Sequence, residues 1–225
     1  MRWINWAFAW VAPVALPLAA QAPQPAQGAG FVAVLDAAHG GQDTGSKIAN
    51  GQMEKAVTLQ LNARLRSLLG ARGMTVITTR DSDQTLPTDR RAEIADHAHA
   101  QACLTLHATE SGSGIHLFVS SIAPSQPALF LPWKTAQAAW VTRSISLAGT
   151  LNAALLRADL PVTIERTFLP GLDSLACPAI AIEVAPDRAK DGSVTAEPDD
   201  ATYQGKVASA IAAGMLAFRS EKSEP

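Results

Sequence analysis

Residues Phe31 to Leu59, FVAVLDAAHGGQDTGSKIANGQMEKAVTL, decide how the chain reads. The run Phe31 to Leu35 is apolar without alternation and stops at Asp36, the pattern of a buried strand. His39 follows directly. The next loop carries Gly40, Gly41, Gly45 and Gly51, so its backbone can turn tightly and pass close to a bound group. Glu54 then opens a helix. A histidine at the carboxyl end of a strand and a glutamate on the next helix can meet where open α/β sheets usually bind ligands. Taken alone, a histidine before a turn is more often structural, and a first-turn carboxylate is favoured by the helix dipole.

Outward from this stretch, Leu59, Leu61, Leu65, Leu68 and Leu69 recur at helical spacing, and Gly70 and Gly73 mark the stop. Met74 to Thr79 reads as a second strand. Strand, helix, strand makes a right-handed crossover, so the sheet should be largely parallel. Arg80, Asp81 and Asp83 end that strand, either as a solvated turn or as a structural salt bridge near the site. Pro87 to His99 reads as a second helix with Arg90, Arg91 and Glu93 on an exposed polar face. The segment ACLTLHA then sets His107 after the short apolar run Cys103 to Leu106, a third strand ending in histidine. His39, Glu54 and His107 together make a plausible zinc set with a fourth position open to water.

In order and spacing, these words resemble the catalytic domain of zinc-dependent N-acetylmuramoyl-L-alanine amidases, cell-wall hydrolases of the amidase_3 type. The family's D-P-G-H-G-G is matched by Asp36-Ala37-Ala38-His39-Gly40-Gly41, and its E-K by Glu54-Lys55. Its T-R-D-x-D is matched by Thr79 to Asp83, its R-x-x-I-A-N by Arg91 to Asp96, and its S-I-H-A-N by Thr105 to Thr109. Its P-A-V-L-V-E is matched by Pro178 to Glu183. The resemblance implies Zn²⁺ on His39, Glu54 and His107, Glu183 as the catalytic carboxylate, and peptidoglycan as substrate. The bond cut would join N-acetylmuramic acid to L-alanine of the stem peptide. Ala37-Ala38 stands where the family has Pro-Gly, so no residue suited to positive φ precedes His39 and the loop is expected to run differently. Asp96 and Thr109 replace asparagines, and Ala185-Pro186 replaces Gly-Phe.

Glu183 also argues for itself. Within CPAIAIEV it follows four apolar residues among the preceding five, and a buried unpaired charge there would cost several kcal/mol. It needs a partner: a metal site, or an arginine such as Arg166 or Arg188. His116 sits mid-strand in Gly114 to Val119 and reads as structural or surface, as do His97 and His99. Residues 122–143 are either a substrate-facing loop or a cover over the sheet. Trp133 and Trp140 there could stack on a sugar but are expected to be packed. Helices are expected over Ser144 to Ala158 and Tyr203 to Phe218, and a last core strand over Pro178 to Val184.

Composition bounds the remainder. A chain of 225 residues, 48% hydrophobic and 17% charged, can bury one core. A net charge of −2 offers no footprint for nucleic acid. The two cysteines, Cys103 and Cys177, form no C-x-x-C pair and are expected to be small buried apolar residues, not a disulfide. Residues 1–22, with one arginine, the apolar run Trp3 to Ala20 and Ala20-Gln21-Ala22, read as a signal peptide, with a retained anchor as the other reading. Residues 23–30 read as a linker, 31–220 as the catalytic domain and 221–225 as a polar tail. The expected fold is a single α/β domain, a mostly parallel twisted sheet with helices on both faces. The protein is expected to be exported to the periplasm or cell wall, without stable membrane insertion after cleavage and with any activating protein unidentified. Two other readings are a wall-binding scaffold of the same fold without turnover, and a zinc peptidase cutting within the stem peptide.

Overall fold

The computed structural model describes residues 30–125 and 132–221. The chain runs β1 (Val32–Ala37), a short 3-10 turn (Ala49–Gly51), α1 (Glu54–Gly70), β2 (Thr75–Thr78), α2 (Thr88–His97), β3 (Ala102–Ala108) and β4 (Ile115–Ser120). A second 3-10 segment (Trp133–Ala139) leads into α3 (Val141–Arg157), β5 (Val162–Thr167), α4 (Pro170–Asp173), β6 (Ala179–Val184), β7 (Asp187–Arg188), β8 (Val194–Ala196) and α5 (Ala201–Glu221). The segment expected to be a signal peptide, all but the last residue of the expected linker, residues 126–131 and residues 222–225 of the expected polar tail lie outside the described residues.

Six strands form one sheet in the order β2-β1-β3-β6-β4-β5, and β7 and β8 form a separate hairpin. Every neighbouring pair in the large sheet is parallel except β4 with β6. The chain steps from β1 to β2 in one direction and from β2 to β3 in the other. Right-handed crossovers therefore put α1 and α2 on opposite faces. The carboxyl ends of β1 and β3 flank the point where the order reverses, the usual ligand position in an open sheet.

Strand alternation divides the core in two. One face carries Leu35, Leu104, Leu106, Leu117, Ile180 and Ile182, covered by Leu61 and Leu65 of α1, Leu147 and Leu151 of α3, and Ile211 and Phe218 of α5. The opposite face carries Val34, Cys103 and Ala179 under the alanines of α2 and Leu172 of α4. It is the thinner layer, and it leaves room for a cavity.

Two sequence expectations fail here. Cys103 and Cys177 are joined by a disulfide, with Cα atoms 6.3 Å apart. The β3–β6 ladder pairs Cys103 with Ala179, which brings Cys177 alongside although 74 positions separate the two cysteines. Trp133 and Trp140 are not packed: they are 59% and 36% exposed. The connection between β5 and α4 likewise leaves Phe168 in solvent.

Candidate active site

The site is assembled from the exit of β1, the first turn of α1 and the end of β3. Down one stripe of α1 lie Glu54, Thr58 and Asn62, all polar and all buried. Spaced four apart, they share one face of the helix and turn it toward the β1 exit. Thr58 Oγ1 donates to the Ala38 carbonyl at 3.1 Å, and Asn62 Nδ2 to the Arg80 carbonyl at 3.4 Å. The helix N-terminus has no side-chain cap. Its Glu54 and Lys55 N–H groups instead donate to the Ser46 and Thr44 carbonyls of the glycine loop.

Two guanidinium groups hold the turn that presents His39. Buried Arg80 donates to the carbonyls of Ala37, Ala38 and Lys55 at 2.8, 2.9 and 2.8 Å. Arg91 donates to the Asp36 carboxylate and to the carbonyls of Ala37 and His39 at 2.5, 2.7 and 2.6 Å. Arg91 thus turns inward, contrary to the exposed face expected for it, where its guanidinium satisfies the His39 carbonyl, shares that of Ala37 with Arg80 and pairs with Asp36. Asp83, one of the two readings left open for its turn, pairs with Lys55 at 2.7 Å and also accepts from the Gly41 N–H. The positive φ at the strand exit begins on His39 itself, at 63°, and not on residue 38. Alanine at position 38 is therefore compatible with the turn.

These supports bring His39, Glu54 and His107 together, with one ligand-type atom of each within 4.8 Å of the others. Glu54 Oε2 lies 3.1 Å from His39 Nε2, and Glu54 Oε1 lies 2.8 Å from His107 Nδ1. The Ser46 and Ala108 N–H groups donate to the same carboxylate. Burial works against its ionisation, yet the hydrogen bonds with His107, His39 and Ser46 prevail and hold Glu54 well below the usual carboxylate range. The Glu54 hydrogen bond raises the His39 imidazole against the opposing effect of burial. Asp43 Oδ1, 2.9 Å from His39 Nδ1, orients the ring from the far side. Two imidazoles and one ionised carboxylate facing a common point suit Zn²⁺, and three protein ligands leave a position open.

Glu183 pairs in register with His107 across the parallel β3–β6 ladder and with His116 across β4. All three residues therefore rise from the same face of the sheet. Glu183 is half-buried and, among the described residues, its carboxylate makes no hydrogen bond or ion pair. Neither expected arginine reaches it: Arg166 donates to the Ser120 carbonyl and Arg188 to that of Gly112. His116 holds its Nδ1 at 3.0 Å from Thr163 Oγ1, two strands away from the metal-type cluster. Sequence reasoning passed over Asp43 and placed Arg91 on an exposed face. For Asp43 the spacing of four from His39 was a usable signal. For Arg91 nothing local marks the inward turn.

An open α/β sheet with a His-Glu-His cluster at its switch point, backed by a free carboxylate, defines an enzyme with a candidate metal centre. Residues 33–217 match the Amidase_3 family, N-acetylmuramoyl-L-alanine amidase, and the chain belongs to that family of amide hydrolases. The N-acetylmuramoyl-L-alanine amidase AmiA of Escherichia coli K12 is 26% identical over 226 residues, covering 83% of this chain and 75% of the relative. The germination-specific N-acetylmuramoyl-L-alanine amidase of Bacillus subtilis is 26% identical over 222 residues, covering 87% and 83%. The solved N-acetylmuramyl-L-alanine amidase Ami1 of Mycobacterium smegmatis shares the fold, with a TM-score of 0.67 and 19% identity over 86% of this chain and 98% of that one.

Proposed function

We propose that this chain hydrolyses the amide between N-acetylmuramic acid and L-alanine in peptidoglycan, with His39, Glu54 and His107 holding Zn²⁺ and Glu183 acting as the catalytic carboxylate. The observation that carries the reading is the unpaired Glu183 carboxylate standing beside His107 on the face where the donor cluster converges. When bound, Zn²⁺ supplies Lewis acidity that lowers the pKa of water and polarises a carbonyl. The protein's own contribution is proton handling and rigidity. Glu183 takes a proton from the attacking water as the new C–O bond forms, and returns it to the nitrogen as the C–N bond breaks. The products are a lactyl carboxylate on the glycan and a free peptide amine. Asp43, Arg80 and Arg91 keep the His39 loop from relaxing during that exchange.

Export fits the same reading. The arginine, apolar run and Ala20-Gln21-Ala22 pattern of residues 1–22 support a secretory signal, and the Cys103–Cys177 disulfide supports an oxidising compartment. No helix among the described residues is long and apolar enough to cross a membrane. A reporter active only after export, fused to residues 1–22, should give signal, and a reporter left in the cytoplasm refutes the assignment.

The decisive experiment is Glu183→Gln. The amide keeps the shape but cannot accept the proton, so release of L-alanine-terminated peptides from purified peptidoglycan should fall about 10²- to 10⁴-fold. Zinc content and thermal melting should stay at wild-type values. Normal turnover in the variant would remove Glu183 from the mechanism. Cleavage within the stem in place of the muramyl amide would make the protein a peptidase.

A further inference from the structure

Two polar groups near the candidate metal centre lack partners, and they sit opposite each other across one ladder. His116 Nε2 is buried and, among the described residues, has no hydrogen-bond partner. The Glu183 carboxylate is unpaired too, and Glu183 is the register partner of His116 between β6 and β4. We propose that His116 is a positioning residue for Glu183: Thr163 fixes its tautomer at Nδ1, and Nε2–H holds one carboxylate oxygen so that the other meets the attacking water. The inference rests on the amidase reading and adds how its catalytic carboxylate is aimed.

Register builds the arrangement. His107, Glu183, His116 and Thr163 occupy matched positions on β3, β6, β4 and β5. Matched residues rise from one face, and across an antiparallel pair such as β4 and β6 their Cβ atoms stand about 5 Å apart. His116 Nδ1 lies 3.0 Å from Thr163 Oγ1, on the β5 side of the ring. The two nitrogens of an imidazole point nearly opposite ways, so Nε2 is turned back toward β6 and Glu183. A hydroxyl that donates to Nδ1 leaves the ring proton on Nε2, the form that serves a carboxylate.

The surroundings offer Nε2 little else. Phe118 stacks on the ring with centroids 6.4 Å apart, and Gly112 roofs it: a Cβ there would lie 3.2 Å from Nε2. Arg188 pins that roof by donating to the Gly112 carbonyl at 3.0 Å, and a guanidinium has no acceptor to give. Glu165 stands opposite Phe118, further along the strands, and is exposed. A buried ring nitrogen without a partner is costly, so a carboxylate that swings within reach is captured. Rotation about the Glu183 side-chain torsions brings one there without disturbing the ladder. The captured carboxylate keeps its aim at the water proton, which raises the rate of the chemical step and leaves substrate binding alone.

The test compares three replacements of His116 with a soluble muropeptide as substrate. Glutamine sets its amide nitrogen near the place of Nε2, asparagine sets its own near that of Nδ1, and phenylalanine keeps the ring alone. In His116→Phe and His116→Asn, kcat should fall about 10- to 100-fold at unchanged KM, and His116→Gln should recover most of the loss. In a Glu183→Gln background, His116→Phe should cost nothing more, because the group it positions is already disabled. Zinc content should hold throughout, and rates are compared per folded molecule from melts of the same samples. A purely structural His116 predicts the reverse order, with asparagine rescuing through Thr163 and glutamine failing, and that result overturns the proposal. Losses that multiply in the double variant, or a raised KM at unchanged kcat, overturn it as well. Full turnover in Glu183→Gln alone overturns the role of Glu183 and this proposal with it, whereas loss there beside normal turnover in His116→Phe overturns this proposal only.

Discussion

At the scale of single residues, the candidate metal centre depends on what is absent beside it. Gly45 has φ +64°, and a Cβ built there would lie 2.6 Å from His39 Cδ2 and 2.7 Å from Glu54 Oε2. A methyl group cannot fit without displacing two proposed ligands, and the left-handed backbone adds strain of its own. Gly45→Ala should therefore weaken zinc affinity by about 10- to 100-fold, the scale found when the support of a ligand is disturbed. Gly51→Ala separates the two causes. Gly51 also has positive φ, at 82°, but nothing lies within 4 Å of its would-be Cβ. It should cost roughly 1 kcal/mol in stability and leave the metal untouched. Metal titration and denaturant melts on both variants check this. Equal zinc affinity in the two would mean that Gly45 serves only the turn.

At the scale of elements, the helices behind the sheet are spaced by a glycine. A Cβ at Gly214 of α5 would meet Leu151 Cα of α3 at 2.8 Å, so the two helices approach with no room for a methyl. Glycine in mid-helix costs about 1 kcal/mol relative to alanine in propensity, and here the close packing outweighs it. Gly214→Ala should accordingly destabilise by about 1–3 kcal/mol despite the better helix former. Gly205, on the same helix with nothing within 4 Å of its would-be Cβ, should give the opposite sign on Gly205→Ala. Chemical denaturation of both reads the difference, and stabilisation at position 214 would show that the helices separate freely. The same packed layer backs β3 and β6, which carry His107 and Glu183.

At the scale of the whole molecule, the disulfide closes the sequence from β3 to the threshold of β6. With 74 positions between the cysteines, the loss of loop entropy in the unfolded chain corresponds to about 4 kcal/mol. The cysteines sit in the thinner apolar layer with Leu172 and Leu175, where little else compensates. Replacing both by serine should lower the unfolding free energy by roughly that amount, as measured in urea. Native turnover should survive at low temperature, since six backbone pairs already register β3 against β6. A double variant as stable as the wild type would mean the bond adds nothing to the fold.

The sequence by itself determined the local pieces of this protein. The apolar runs ending at His39 and His107, the glycine loop and the helix opened by Glu54 each depend on neighbours a few positions apart, and periodicity reports burial on that scale. Order and spacing of those pieces also sufficed for the parallel core, since a strand-helix-strand unit has one preferred hand. Only the tertiary structure decided which distant groups meet. The pairing of Cys103 with Cys177, the inward turn of Arg91, the antiparallel seat of β4 against β6 and the exposure of Trp133 have no local signature. The cysteine pairing and the seat of β4 follow from strand order and register, which are set by how the two faces of the sheet pack and not by any one segment. The positive φ of His39 belongs with them: the carbonyl-binding guanidinium groups of Arg80 and Arg91, more than forty positions away, hold the turn in which it occurs.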